Sequence, residues 1–134
     1  MTKIILKAFF ISFLSLVLFS CDDDGLDDFS DPREQFLGNW NVSENELKDA
    51  YSVNIVKNPS NSTEVLINNF WNTNGNPPAA LVVGKKIYFD NANFFDSESQ
   101  VNGKGFLNNN KITWQYKVFD GADEREYEAI FTLQ

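Results

Sequence analysis

The last third of the chain alternates between apolar and polar residues, and this alternation constrains the fold more than any other feature. Between residues 112 and 118, every second residue is large and apolar: Ile112, Trp114, Tyr116 and Val118. Successive side chains of a β-strand point to opposite faces of the sheet, so this period of two predicts a half-buried strand. No convincing helical period of 3.6 residues occurs after residue 35.

The same alternation recurs along the chain between clusters of turn-forming residues. The other alternating groups are Phe36, Trp40 and Val42; Tyr51, Val53 and Ile55; Val65 and Ile67; 81–83 and 87–89; Val101, Gly103, Gly105 and Leu107; and Tyr127, Ala129, Phe131 and Leu133. Gly84-Lys85, 108–110 and Asp120-Gly121 have the composition of hairpin turns. Glycines inside a strand indicate a bend or bulge, which we expect near Gly103 and Gly105.

About eight antiparallel strands in sequence order predict an all-β fold. An up-and-down barrel closes on itself and leaves no exposed sheet edge, so it is the architecture that we expect. A two-sheet β-sandwich gives almost the same sequence pattern and stays open as the alternative.

Residues 31–40 carry a family resemblance. A short turn of helix followed by Gly38 and Trp40 at the start of the first strand resembles the beginning of a lipocalin domain. The resemblance implies that the Trp40 indole plugs one barrel end and that a late arginine lies against it, for which Arg125 is the only late candidate. The domain is shorter than most lipocalins, and a disulfide is excluded because Cys21 is the only cysteine. The resemblance carries over no ligand.

The first 21 residues have the composition of an export signal. Lys3 and Lys7 precede an apolar run over residues 8–18, which is too short for a membrane span of about 20 residues. Leu18, Ser20 and Cys21 resemble the lipobox of bacterial lipoproteins. This resemblance implies cleavage before Cys21 and attachment of diacylglycerol to its sulfur. An ordinary signal peptide followed by a free thiol, or a short uncleaved anchor, is the alternative.

The predicted organisation has three parts: a signal peptide at 1–20, a tether at 21–32 and a lipocalin-like β-domain at 33–134. The tether is acidic, and Asp22, Asp23 and Asp24 directly follow the cysteine. Such a run is a solvated spacer, and it also resembles the signal that exports lipoproteins to the cell surface in one Gram-negative group. In other groups an aspartate at the first position resembles an inner-membrane retention signal. Three consecutive acids favour the surface, with the lipid anchor in the outer membrane.

Composition excludes several classes of function. Lys3 and Lys7 are the only charged residues of the signal peptide, so 9 basic and 19 acidic residues remain, a net charge of −10. This balance argues against nucleic acid as a partner. The chain has no histidine, which together with the single cysteine removes zinc sites, cysteine nucleophiles and Ser-His pairs. We expect no metal and no cofactor.

Paired carboxylates are the one enzymatic option left. Acidic residues cluster on or near the last turn, at Asp120, Asp123, Glu124, Glu126 and Glu128. A hydrolase would hold two of them in a cleft, and a calcium site would use several. Their alternation with Tyr127 and Ala129 instead favours a solvated turn and the outer face of a strand. No catalytic residue is therefore predicted.

Aromatic residues next to loops offer another possibility. Trp71, Phe94 and Phe95 lie near loop positions beside asparagines, where exposed rings stack on sugars or grip a partner. The alternative is that Phe70 or Trp71 folds back to cover a barrel end.

The sequence therefore predicts a non-catalytic, membrane-anchored binding module for a small apolar ligand or an envelope protein. The residues expected to line a ligand cavity are Tyr51, Phe89, Trp114, Tyr116 and Phe131. An eight-stranded barrel is just wide enough for packed side chains or one small ligand. An accessory lipoprotein with a filled core, acting through its outer surface, is thus the main alternative, and an acid-dependent hydrolase ranks third.

Overall fold

The computed structural model describes residues 30–45 and 49–134, in which eight antiparallel strands form one closed barrel in sequence order. The strands are β1 (Gly38–Glu44), β2 (Tyr51–Lys57), β3 (Glu64–Asn68), β4 (Ala79–Val83), β5 (Lys86–Asn93), β6 (Gln100–Asn108), β7 (Lys111–Phe119) and β8 (Glu124–Leu133). Two short 3-10 helices accompany them, the N-terminal turn (Pro32–Phe36) and the cap segment (Phe70–Asn72). The predicted up-and-down barrel is confirmed, and the sandwich is excluded.

Closure depends on β1, which pairs with β2 on one side and with β8 on the other. Trp40 lies opposite both Val53 and Leu133. The backbone N–H of the C-terminal Gln134 donates to the carbonyl oxygen of Asn39 at 3.0 Å and extends this last seam. Every strand thus has two neighbours, so the barrel has no free edge.

The alternation seen in the sequence separates the inside of the barrel from the outside. On β7, Ile112, Trp114, Tyr116 and Val118 are buried, and the residues between them are exposed. Each large apolar side chain removed from water contributes about 1.5–3 kcal/mol to folding, so the barrel interior is the core. The β6–β7 turn also matches its sequence, because Asn109 and Asn110 both adopt the positive φ that a tight hairpin requires.

The glycines of β6 have a different role from the predicted one. The register of β6 with β7 is unbroken from Gln100 to Asn108, and the irregularity lies on β5, between Phe89 and Ala92. A Cβ atom on Gly105 would lie 2.8 Å from Cδ2 of Trp114. The expected bulge is therefore on the neighbouring strand, whereas Gly105 makes room for the indole inside the barrel.

Trp40 is fully buried, as predicted for a barrel plug. Its Nε1 donates a hydrogen bond to the carbonyl oxygen of Phe36, and Gly38 between them has a φ of 122°, which L-residues rarely adopt. The prediction for Arg125 is wrong. Arg125 is exposed on β8, eight residues or about 26 Å from Leu133, which pairs with Trp40.

A different arginine, Arg33, is buried in the N-terminal turn. Its Nη1 donates to the carbonyl oxygens of Asn61 and Glu64 at 3.1 Å each and ties the turn to the β2–β3 loop. Its Nε and Nη2 donate to the carboxylate of Asp31, a residue of the predicted tether 21–32. The side-chain hydrogen bond from Arg33 is the main reason that the pKa of Asp31 lies well below its usual range. Asp31 is thus joined to the folded domain.

Candidate functional site

The two ends of the barrel differ in what closes them. The entry end carries the N-terminal turn and the connections 58–63, 84–85 and 109–110. The loop end carries residues 45, 49 and 50, which flank β1 and β2, and the connections 69–78, 94–99 and 120–123. Because the chain enters the barrel through the N-terminal turn, the loop end is the end opposite to the N-terminal part of the chain.

A buried carboxylate lies at the loop end. Glu44 is the last residue of β1 and shares the inward parity of Trp40 and Val42, so its side chain is only 5% exposed. Its Oε1 accepts hydrogen bonds from the hydroxyl groups of Tyr51, at 2.5 Å, and Tyr116, at 2.6 Å. The three side chains, which we call the Glu44 cluster, join β1, β2 and β7.

Burial keeps both tyrosines of the cluster in the neutral form. Removal of the hydroxyl group from water raises the pKa of Tyr51, and the negative charge of Glu44 raises it further. The pKa of Tyr116 is raised for the same reason, with additional repulsion from Tyr51 and Glu44. Both hydroxyl groups therefore remain hydrogen-bond donors to the carboxylate over the physiological pH range.

Two polar atoms at this end lack partners among the residues that the structure describes. Glu44 Oε2 accepts no hydrogen bond from them, and the Nε1 atom of Trp71 donates none. Each buried polar group without a partner costs about 1–3 kcal/mol, and more when it is charged. The loop end therefore offers an acceptor and a donor that are shielded from water and unpaired within residues 30–45 and 49–134.

The cap segment covers the Glu44 cluster. Phe70 is fully buried, and its ring centroid lies 5.1 Å from those of Phe89 and Phe94 and 5.3 Å from that of Tyr116. Trp71 is only partly buried, and its ring centroid lies 5.9 Å from those of Phe94 and Tyr127. The cap thus corresponds to the expected alternative in which these aromatics fold back over a barrel end.

The three aromatics predicted near loops end up in different environments. Phe94 is buried next to Phe70, Trp71 is half-buried above the cluster, and Phe95 is 48% exposed. Phe95 is therefore the most exposed of the three rings.

All five residues predicted to line a cavity lie inside the barrel. Phe89 and Trp114 stack with centroids 4.7 Å apart, and Phe131 lies 5.6 Å from Trp114. The rings in the middle of the barrel thus pack on one another. Tyr51 and Tyr116 belong to the Glu44 cluster at the loop end.

A groove of about 790 Å³ lies on the outer face of β5–β8. One row of cross-strand neighbours runs through it, from Tyr88 to Lys104, Gln115 and Glu128. Asn102, Lys117 and Glu126 form a second row, in which Lys117 and Glu126 make a 3.3 Å ion pair. The groove therefore combines apolar surface with polar side chains of both charge signs.

The acidic residues of the last turn are exposed. Asp120 accepts hydrogen bonds from the backbone N–H groups of Asp123 and Ala122, which lower the pKa of its carboxyl group. Glu124 and Glu126 lie beside Lys117. Within residues 30–45 and 49–134, no group of three or more Cys, Asp and Glu residues is arranged to hold a metal ion.

Sequence reasoning missed Glu44 as a candidate site residue. The available signal was its parity, because an acid two residues after Val42 on the inward face contradicts the apolar pattern of β1. The predicted lipidation residue Cys21 and sorting residues Asp22, Asp23 and Asp24 lie outside the described residues.

No protein-family model matches the chain, and no curated protein sequence matches it significantly. Among the described residues, no helix has the length and apolar character required to cross a bilayer.

Proposed function

We propose that the chain is a lipid-anchored binding protein of the bacterial cell envelope, which recognises a small ligand at the loop end of its barrel and catalyses no reaction. The observation that carries the proposal is the Glu44 cluster. Among the described residues, its buried Oε2 atom has no partner, and neither has the Nε1 atom of the cap residue Trp71 at the same end of the barrel. Buried polar groups are nearly always satisfied, so an unpaired acceptor and donor at one end of a barrel favour a ligand there.

The anchoring part of the proposal rests on the lipobox resemblance of Leu18, Ser20 and Cys21. Asp22, Asp23 and Asp24 support an outer-membrane position at the cell surface. The orientation of the barrel relative to its tether is consistent with an anchored protein, because the loop end lies opposite the end at which the N-terminal turn enters. A ligand site there would be accessible from the side away from the membrane.

The filled middle of the barrel argues against a long apolar ligand. Phe89, Trp114 and Phe131 pack on one another, so a long apolar molecule would have to displace the core. A smaller ligand that reaches only Glu44 and Trp71 requires movement of the cap alone. The lipocalin-like binding function is thus proposed for the barrel end rather than for its centre.

The groove favours a second candidate, an accessory lipoprotein that acts through its outer surface. Lys104, Gln115, Lys117 and Glu128 provide exposed donors, acceptors and charges across β6–β8. This candidate requires no movement of the cap and accounts for the packed interior, but it leaves the buried Glu44 cluster without a role.

Nuclear magnetic resonance of the ¹⁵N-labelled polypeptide 22–134, which contains all eight strands, separates the two candidates. We expect at least one compound in a panel of small cationic, neutral and anionic molecules to shift the Trp71 indole N–H signal saturably. The Trp40 indole signal, at the entry end, is the internal control and should not move. Saturable shifts confined to the side-chain amides of Asn102 and Gln115 would favour the outer groove. If no compound in the panel changes the chemical shift of the Trp71 indole N–H signal, the proposed function is overturned.

A further inference from the structure

The Glu44 carboxylate has no cationic partner among the described residues. The ion pairs of the described chain involve Asp31, Glu34, Glu124 and Glu126, and none of them includes Glu44. A buried carboxylate without a positive partner is costly, because two tyrosine hydroxyl groups do not replace the hydration of both oxygens. The oxygen that lacks a donor, Oε2, is therefore the atom to which a positively charged donor would bind most favourably.

The groups around this carboxylate are aromatic. The Tyr116 ring lies 5.8 Å from the Tyr127 ring, and the Tyr127 ring lies 5.9 Å from the Trp71 ring. Aromatic faces attract cations through the ring quadrupole, most strongly when water is excluded. A carboxylate with a row of electron-rich rings beside it is a combination that suits an ammonium group.

The cap provides a route to this position. Phe70 is fully buried and anchors the cap segment, whereas Trp71 is only half-buried. Asn69, Trp71 and Asn72 all have φ values near +60°, a conformation that asparagine tolerates but that is strained for a bulky residue such as Trp71. Rotation of Trp71 away from the barrel would therefore relieve the strain at this residue and open the route, with Phe70 still covering the core.

We propose that the loop end binds a small organic ammonium ion, whose N–H groups donate to Oε2 of Glu44 while the rings of Trp71, Tyr116 and Tyr127 surround its charge. This inference rests on the proposed function and adds the chemical class of the ligand. The net charge of −10 expected for the mature chain favours the approach of a cation over that of an anion.

The test uses n-butylammonium chloride, with n-butanol as an uncharged counterpart of similar size, at constant ionic strength. Polypeptide 22–134 is titrated with each probe while the Trp71 indole N–H signal, assigned through Trp71→Phe, is followed. We expect n-butylammonium to shift this signal saturably and n-butanol to leave it in place. A saturable response to n-butanol of the same size would overturn the ammonium assignment and leave the proposed binding function standing.

Two glutamate variants separate the buried site from general attraction to an acidic protein. Glu44→Gln removes the buried charge, and Glu128→Gln removes one exposed charge from the outer face of β8. Loss of a buried charge partner costs at least about 1.4 kcal/mol, which is a tenfold change in Kd. We expect Glu44→Gln to weaken n-butylammonium binding by about tenfold or more and Glu128→Gln to change it by less than about twofold. Equal effects of the two variants would overturn the proposal.

Displacement of the Trp40 indole signal would reveal that Glu44→Gln does not fold. A third variant tests the proposal in that case. Tyr127→Leu removes one aromatic wall and keeps an apolar side chain at this position. Because a cation–π contact is strongest where water is excluded, binding of n-butylammonium should weaken by about tenfold or more. Unchanged binding to a folded Tyr127→Leu protein would remove the aromatic part of the site and overturn the proposal as stated.

Discussion

The indole Nε1 of Trp40 donates a 2.8 Å hydrogen bond to the carbonyl oxygen of Phe36 and thereby joins the first strand to the turn that precedes it. Both residues are fully buried at the entry end of the barrel. One side chain therefore fills this end and also satisfies a backbone carbonyl group of the N-terminal turn.

Replacement of Trp40 should destabilise the domain severely. Removal of a buried aromatic side chain typically costs about 3–5 kcal/mol, a large share of the 5–15 kcal/mol that stabilises a domain. We expect Trp40→Ala to lower the free energy of unfolding by this amount in urea titrations of polypeptide 22–134. Trp40→Phe keeps part of the ring and should lose less. A Trp40→Ala protein with the urea midpoint of the wild type would contradict the plug assignment.

The pKa of Asp31 predicts how its contribution to stability depends on pH. Because the folded-state pKa is below the unfolded value of about 3.9, the ionised carboxylate stabilises the fold above that pH. This contribution is lost as the pH falls through the folded-state pKa. The Tm difference between wild type and Asp31→Asn should therefore be constant between about pH 5 and 8 and smaller at about pH 2.5. A difference of the same size at both extremes would show that the charge has no role.

Gly105 should not tolerate a methyl group, because a Cβ atom there would lie 2.8 Å from Trp114 Cδ2 and 2.9 Å from Ile87 Cγ2. Overpacking of this kind costs about 1–3 kcal/mol, and the near-ultraviolet circular dichroism of Trp114 should change. Gly84→Ala is the matched control, since no atom lies within 4 Å of its Cβ and only its φ of +59° opposes the change. That variant should lose about 1 kcal/mol and keep the wild-type spectrum. Identical spectra for both variants would refute the close approach.

Cys21→Ala should abolish lipid attachment. In a Gram-negative host, the wild-type precursor should incorporate radioactive palmitate and partition with membranes, and the variant should do neither. Stable anchoring needs more than one acyl chain, and the lipobox resemblance implies that these chains are attached at Cys21. Replacement of Cys21 should therefore remove the lipid anchor. Continued labelling of the variant would refute the lipobox interpretation.

Changing Asp22, Asp23 and Asp24 together to alanine should separate lipidation from sorting. We expect the triple variant to be labelled with palmitate like the wild type but to be protected from protease added to intact cells. Asp27 and Asp28, changed together to alanine, form the matched control, because they lie farther from the cysteine. Equal digestion of all three proteins would show that the acidic run acts only as a spacer and has no role in sorting.

Alternation predicted most of the barrel because it reports directly which face of a strand is buried. Trp114 and Tyr116 are inside, as the period of two required. Closure was harder to predict, because it depends on pairing β1 with β8, for example Val42 with Phe131. The local pattern of β1 and β8 is the same whether the two strands pair with each other in a barrel or form exposed edges in a sandwich.

The site was less predictable than the fold. The cavity residues were chosen because they are large and apolar, a criterion that excludes an acid such as Glu44. Its role depends on two tyrosines, one of them 72 residues away in sequence, and no spacing rule covers such a contact. The expected contact between Arg125 and Trp40 is absent for a related reason. The resemblance supplied only a residue type, whereas the register of β8 places Arg125 at the end of the strand far from Trp40.

The position of β1 between β2 and β8 has a mechanical consequence. A protein held by its N-terminus and pulled through a ligand at the loop end would experience a force nearly parallel to its strands. Antiparallel hydrogen bonds run perpendicular to the strands, so this geometry shears them together instead of opening them one after another. Five residue pairs on each side of β1 would resist that force. The strand that receives the chain from the tether is thus held on both of its sides, and the barrel should unfold slowly under axial tension.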